Sequence, residues 1–154
     1  MKTRGFEVIK GYNKNEIIMP VRKTKSSAGY DIATCEDIKI MPYKKGDNPY
    51  LIKTGLKAYM LEDEVLILYP RSSLFKKMHL MFPHSNGIID SDYYENEDND
   101  GHILIQVINL SDEEVFIKKG TFLIQGIFQK YLITDNDNAN ETRKGGIGST
   151  DKKN

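Results

Sequence analysis

Residues 70–74 bring together side chains that can bind an anion. The segment lies where the most apolar run of the chain ends, and Ser72 or Ser73 could cap a short helix that follows. The guanidinium of Arg71, two hydroxyl groups and the amides of a helix N-terminus could therefore converge on one negative charge. A helix cap beside a surface arginine is the structural alternative.

A second segment with anion-binding chemistry lies near the C-terminus. Residues 143–150 begin with Arg143, contain three glycines and end with Ser149 and Thr150. The glycines can turn backbone N–H groups toward one point, the hydroxyls add donors, and Arg143 supplies a bidentate cation, which together suit a phosphate. The segment is not a Walker A loop, because no lysine immediately precedes the Ser-Thr pair and no strand leads into it. A frayed terminus is the structural alternative.

Two further polar residues interrupt apolar runs. Asp31 lies inside the strand-like run 28–32, where an ionised carboxylate is costly unless it is paired or close to a metal ion. Gln125 is embedded in the apolar run 120–128, where a buried amide usually satisfies a neighbouring backbone group. Either residue could belong to a site or to the core.

Residues 86–93 combine a glycine-bearing turn, two isoleucines, two acids and a tyrosine. In a hairpin strand, Asp90 and Asp92 would point the same way and Tyr93 would point to the opposite face. The structural alternative is a turn with solvated acids and a core tyrosine. By itself this pattern is not specific.

The elements that must position these residues are short strands. Apolar or alternating runs rich in β-branched and aromatic residues recur between Gly, Pro, Asn and Asp, which indicates an all-β chain. Besides 28–32, the predicted strands are 6–9, 37–41, 50–53, 56–60, 65–69, 102–108, 114–117 and 122–131. Only residues 72–78 have helical character. Because no repeat of fixed period is present, a sandwich or jelly roll is favoured over a propeller or solenoid.

The composition changes after residue 133. The last 21 residues contain only Ala139 and Ile147 as aliphatic side chains, which is too little apolar surface for the segment to order itself. We therefore predict a β domain over residues 1–133 and a flexible C-terminal arm over residues 134–154.

Composition and charge exclude several classes of function. The 154 residues carry 22 Lys plus Arg and 22 Asp plus Glu, so no net charge favours binding to nucleic acid or to a membrane surface. One cysteine and three histidines provide neither an internal disulfide nor structural-zinc spacing. Residues 1–10 carry four charges, and no apolar run could span a bilayer, so neither a signal peptide nor membrane insertion is expected. The sequence predicts a cytoplasmic protein.

Together, the five segments resemble the five sequence motifs of the trimeric dUTP pyrophosphatase (dUTPase) family. The resemblance covers residues 28–150 and is strongest at 70–74 and 87–93. It implies a β-barrel or jelly-roll fold and a homotrimer with active sites between subunits. It also implies Mg²⁺-assisted hydrolysis of dUTP to dUMP and pyrophosphate, a reaction that limits uracil in DNA and supplies dUMP.

The resemblance implies roles for particular residues. Asp90 matches the base that activates water for attack on the α-phosphorus, Asp31 is placed near Mg²⁺ through metal-bound water, and Tyr93 matches the aromatic that packs on deoxyribose and excludes a 2′-hydroxyl. Backbone groups of the hairpin would hold uracil, here at Asn86, Gly87, Ile88 and Ile89. Phosphate contacts are implied for Arg71, Ser72, Ser73 and Gln125. A lid that another subunit folds over the triphosphate is implied for residues 143–150, with Arg143, Ile147, Gly148, Ser149 and Thr150 as its contacts.

The chain departs from the family pattern at two places. Ile147 stands where the family has an aromatic residue to stack on uracil, so the cover over the base lacks a π-face. Glu95 stands where glycine is usual, and the acidic residues 96–101 that follow predict an enlarged hairpin turn. The turn has part of an EF-hand spacing, but Val107 occupies the position of the closing glutamate, which disfavours calcium.

Two alternative functions stay open. A dCTP deaminase shares the fold, but that branch typically shows Asp-Pro-Gly-Trp where this chain continues from Asp90 to Tyr93, and a catalytic glutamate where Gln106 lies. A neutral amide cannot take the proton. The second alternative is a non-catalytic dUTP-binding regulatory protein, which the departures at Ile147 and Glu95 would suit.

Overall fold

The computed structural model describes residues 1–151 and has the all-β fold that the sequence predicts. Within these residues the strands are β1 (Gly5–Val8), β2 (Tyr30–Ala33), β3 (Ile38–Ile40), β4 (Tyr50–Lys53), β5 (Leu56–Tyr59), β6 (Glu64–Pro70), β7 (Leu80–Met81), β8 (Gly87–Asp90), β9 (Leu104–Asn109), β10 (Val115–Ile117) and β11 (Phe122–Lys130). Helix α1 spans Ser72–Met78, and two 3₁₀ helices span Ser91–Tyr93 and Ser149–Asp151. No helix in this part of the chain has the length and apolar character needed to cross a membrane.

The strands form antiparallel sheets around one core. The largest sheet in residues 1–151 has the order β2-β11-β6-β8, and a second has the order β4-β9-β7. Two further pairs, β1-β5 and β3-β10, complete the layers. Side chains from different sheets, such as Ile32, Leu66, Ile105 and Leu123, are almost fully inaccessible and belong to one cluster. This arrangement confirms the jelly-roll-like prediction.

The central strand β11 brings distant segments of the chain together. It pairs with β6 from Ile124 opposite Pro70 to Lys130 opposite Glu64, and with β2 on its other side. This register places Gln125 directly opposite Asp31. Two polar residues that are far apart in sequence therefore share one place in the sheet.

Helix α1 has the predicted bounds but not the predicted cap. The residue at its N-cap is Arg71, with extended backbone at φ −74° and ψ 150°, and the side chain makes no capping hydrogen bond. The prediction of Ser72 or Ser73 as the cap is wrong, because both residues already lie within the first helical turn, beyond the position from which a side chain can accept the N-terminal amides.

Candidate active site

A cleft of about 340 Å³ lies along the outer edge of strand β8. β8 is the last strand of its sheet within residues 1–151, and its inner edge pairs with β6. Backbone N–H and C=O groups on the outer side of an edge strand are free to bind a ligand. Leu104 and Gln106 of β9 form the facing wall. The volume is that of a small-molecule site.

The C-terminal segment closes one side of this cleft. The structure thereby gathers predicted site residues from two distant segments of the chain. They are Asn86, Gly87, Ile88, Ile89, Asp90 and Tyr93 from the middle and Arg143, Ile147, Gly148 and Thr150 from the end. Ser149 does not line the cleft, and its buried hydroxyl has no hydrogen-bond partner among the residues that the structure describes.

The two carboxylates of the middle segment share one cation. Arg143 donates from Nη2 to Asp90 Oδ2 at 2.6 Å and from Nε to Asp92 Oδ1 at 2.8 Å. The two acids contact the same guanidinium, although the strand alternation considered for residues 90–93 does not occur. The strand ends at Asp90, and Ser91–Tyr93 turns as a 3₁₀ helix. Alternation of faces therefore stops at Asp90, and the tight turn brings the second acid round to the guanidinium.

Tyr93 is fixed by its hydroxyl group and lines the cleft. The residue is 5% exposed, its hydroxyl donates to the carbonyl of His102 at 2.7 Å, and Asn99 Nδ2 donates to that hydroxyl at 2.8 Å. Burial raises the pKa of the phenol. The Arg143 guanidinium lies 5.8 Å from the ring centroid, within cation–π range. The ring is thus a rigid part of the cleft wall.

The enlarged turn that follows Tyr93 is an ordered loop. Glu95 has φ +55°, the left-handed region in which glycine is at ease, and it stands where the family usually has glycine. The buried ammonium of Lys57 donates to Glu95 at 2.8 Å and to Asp100 at 3.2 Å. Asn96 and Asn99 satisfy backbone groups of the same loop. These bonds hold the turn beside the cleft.

A second cluster contains the remaining predicted residues. Arg71 Nε lies 3.4 Å from Oδ1 of the buried Asp31, and Arg71 Nη1 donates to the Phe122 carbonyl at 3.2 Å. Gln125 lies beside Asp31 in the sheet and packs so closely on Gly29 that a Cβ there would come within 2.9 Å of Gln125 Cβ. Ser72 and Ser73 follow Arg71 at the start of α1.

The two clusters do not meet within one chain. None of Asp31, Arg71, Ser72, Ser73 and Gln125 lines the cleft that holds Asp90. Arg71 and Ser72 open instead onto a separate, largely apolar surface depression with Phe75 and Leu110. A single copy of the chain therefore holds the predicted site residues in two separate clusters.

Sequence reasoning missed several residues of the cleft. Leu68, His84 and Leu104 line it. No sequence motif includes His84, because it lies in the irregular segment before β8. Leu68 could have been found, because it pairs directly with Gly87 once β6 and β8 are set side by side. The role of Asp92 as the second partner of Arg143 was also not foreseen.

The all-β fold carries an edge-strand cleft that a glycine-rich segment closes, and the cleft has the size and the charged side chains of a small-molecule site. Residues 15–151 match the sequence model of the dUTPase family. The chain is 47% identical over 152 residues to a deoxyuridine 5′-triphosphate nucleotidohydrolase of Lactococcus lactis, covering 97% of this chain and 99% of the relative. The chain belongs to the dUTPase family.

Solved structures agree with this assignment. A dUTPase crystal structure from Streptococcus mutans superposes with a TM-score of 0.80 at 39% identity, covering 86% of this chain and 99% of the other. A dUTPase from phage phi11 of S. aureus, whose structure shows coordination of a structural Mg(II) ion, gives a TM-score of 0.70 at 22% identity and covers 91% of this chain and 98% of that chain. The second match supports the fold alone.

Proposed function

We propose that this dUTP diphosphatase hydrolyses dUTP to dUMP and pyrophosphate by attack of water on the α-phosphorus. Family membership supports the reaction. The observation that carries the assignment of roles is the meeting of Asp90, Tyr93 and Arg143 with the free edge of β8 in one cleft. The chemistry of each of these groups suits one step of substrate binding or hydrolysis.

Recognition of deoxyuridine is assigned to the edge strand and the tyrosine. The backbone of residues 86–89 offers the alternating donors and acceptors that the Watson–Crick edge of uracil requires. The Tyr93 ring packs on the deoxyribose. Because two hydrogen bonds fix its hydroxyl, the ring cannot withdraw to accommodate a 2′-hydroxyl. Rejection of UTP is therefore steric.

Asp90 is the proposed general base. Its side chain is 51% exposed, so water can reach the carboxylate. Asp90 accepts the proton of the attacking water, and this positioned transfer lowers the barrier. Arg143 pairs with Asp90 and Asp92 in the described arrangement, and a triphosphate offers it the same bidentate geometry. Binding of substrate would thus exchange one anionic partner of Arg143 for another.

The donor set around Asp31 suits Mg²⁺ held through water and phosphates rather than in an all-protein cage. Within residues 1–151 no three acids, histidines or cysteines form a metal cluster, and Asp31 Oδ2 accepts no hydrogen bond there. Mg²⁺ commonly uses one or two carboxylates, several waters and substrate phosphates. Bound there, it would neutralise charge that develops on the phosphates. Arg71, Ser72, Ser73 and Gln125 would bind and orient those phosphates.

A homotrimer would complete the site. The phosphate cluster and the cleft lie apart in one chain, so a neighbouring copy must supply one of them. Leu132 and Ile133 are 97% and 71% exposed after the end of β11, and a neighbouring copy could cover these apolar side chains. The division of the chain at residue 133, the contribution of the lid by another subunit and the cytoplasmic location stay predictions, and residues 152–154 of the arm lie outside the described residues.

Nucleotide-dependent pyrophosphate release tests the proposal. The purified protein with Mg²⁺ should release pyrophosphate from dUTP and far less from UTP, dTTP or dCTP. Comparable turnover of all four nucleotides would contradict the specificity. Ammonia release from dCTP would favour the deaminase alternative, and tight dUTP binding without turnover would favour the regulatory one.

A further inference from the structure

The acidic loop and the C-terminal segment meet at one defined contact. Asp98 Oδ2 accepts a hydrogen bond from the N–H of Gly146 at 2.8 Å. A carboxylate that accepts from a backbone amide makes a charge-assisted bond, which is stronger than a bond between neutral groups. The contact joins the loop after Tyr93 to the segment that closes the cleft.

Two glycines allow the segments to approach this closely. A Cβ on Gly145 would come within 2.6 Å of Asp98 Oδ2 and 2.8 Å of Ser149 Cβ. A Cβ on Gly146 would lie 3.1 Å from Asn99 Nδ2. Both glycines are buried in the contact. The glycines therefore shape a surface that fits the loop.

The loop is a firm support for this contact. Asn96 Oδ1 accepts the backbone N–H of Asp98 at 3.1 Å, and Asn96 Nδ2 donates to the Tyr93 carbonyl at 2.8 Å. At the other end of the loop, Lys57 holds Asp100. Asp98 is thus tied to the backbone of Tyr93, and the closing segment is tied to Asp98.

We propose that Asp98 is a positioning residue that docks the C-terminal segment and so closes the cleft. Asp98 does not line the cleft, and its bond to Gly146 holds the segment just before residues 147–150. Ile147 is 53% exposed, so burial of its side chain contributes little to closure. The bond from Asp98 gives the segment a fixed attachment. This role rests on the proposed function for its kinetic consequence, whereas the docking itself does not.

Limited trypsin digestion measures the docking without any assay of activity. Cleavage after Arg143 or Lys144 removes the end of the chain, and the Arg143 side chain is only 11% exposed when docked. Asp98→Ala should raise the rate of this cleavage about tenfold, because the segment loses its charge-assisted bond to the loop. Asp98→Asn keeps an acceptor oxygen and should stay within about threefold of the parent. Cleavage at the exposed Lys23 and Lys25 serves as an internal reference.

The matched control is Glu97→Ala, which removes the same charge from the neighbouring position. Glu97 is exposed and makes no hydrogen bond or ion pair within the residues that the structure describes. Glu97→Ala should therefore leave the rate of trypsin cleavage unchanged. The thermal midpoint of all three variants should match that of the parent, because no core side chain changes.

Kinetics then test the consequence for catalysis. Asp98→Ala should lower kcat/KM for dUTP about tenfold, and Asp98→Asn should restore most of it. Equal trypsin rates for Asp98→Ala and the parent would overturn the docking. A parent that releases no pyrophosphate would refute the proposed function instead, and the trypsin comparison would still decide whether Asp98 holds the segment.

Discussion

The two clusters of predicted site residues are built in different ways. The cluster of Asp31, Arg71 and Gln125, for which we propose phosphate binding, is carried by adjacent strands of the largest sheet and by the start of α1. The cleft is carried by an edge strand, a 3₁₀ turn, a loop and the C-terminal segment. The first is fixed by sheet register, and the second by side-chain bonds between irregular segments.

This difference indicates where adaptability resides. Rigid strands suit charges that must be held in line with a phosphate chain. Loops and terminal segments can open to admit a nucleotide and close over it. Since the two parts lie apart in one copy, association of copies would bring the rigid part to the adaptable part.

The largest expected effect comes from removing the proposed base, Asp90. Asp90→Asn fills the same space but cannot accept a proton, so kcat should fall by about 10²-fold or more while the fold is kept. The substitution removes the ion pair between Asp90 and Arg143, whereas the ion pair between Asp92 and Arg143 remains. Steady-state pyrophosphate release and dUTP binding should be measured together. Activity within about threefold of the parent would refute the role of base.

A smaller effect is expected at the wall of the cleft. Tyr93→Ala should reduce the ratio of kcat/KM for dUTP to that for UTP, because the fixed ring no longer blocks a 2′-hydroxyl. The ring also belongs to the core, so the free energy of unfolding should fall by about 3 kcal/mol or more. Measuring the ratio below the unfolding transition separates the two effects. A ratio that does not change would assign Tyr93 to the core alone.

The smallest effect concerns pH and the support beneath Tyr93. Burial lowers the pKa of His102 to about 4, and its Nε2 accepts the N–H of Gly55 at 2.9 Å. The unfolded chain binds a proton near pH 6.5 and the folded chain only near 4, so stability falls as pH drops through this window. The carboxyls of Glu7, Glu64 and Asp100 have lowered pKa values. The stability that they contribute to the fold is lost only at pH below about 5.

Urea denaturation at pH 7.5 and pH 5 checks this expectation. His102→Gln keeps an acceptor for Gly55 but has no proton to bind, so its urea midpoint should change less between the two pH values than that of the parent. Equal changes in both proteins would show that His102 is not the source of the pH dependence.

The sequence predicts the elements well where the signal is local. Apolar runs between turn residues give most strands within one or two residues, and the bounds of α1 follow from its short periodic segment. The pairing of Gln125 with Asp31 could not be predicted, because register depends on the whole sheet. The anion-binding chemistry of residues 143–150 can be predicted from the sequence. The contacts of this segment with Asp92 and Asp98 cannot, because they join residues about fifty positions apart and no local pattern indicates them.

Complementation between two inactive variants tests the central claim that one copy carries two partial sites. Arg71→Ala damages the phosphate cluster and Asp90→Asn damages the cleft. If each active site takes its parts from different copies, co-assembled 1:1 mixtures should recover about a quarter of the parental activity, since that fraction of interfaces joins two intact parts. A mixture no more active than the sum of the separate variants would show that each copy completes its own site.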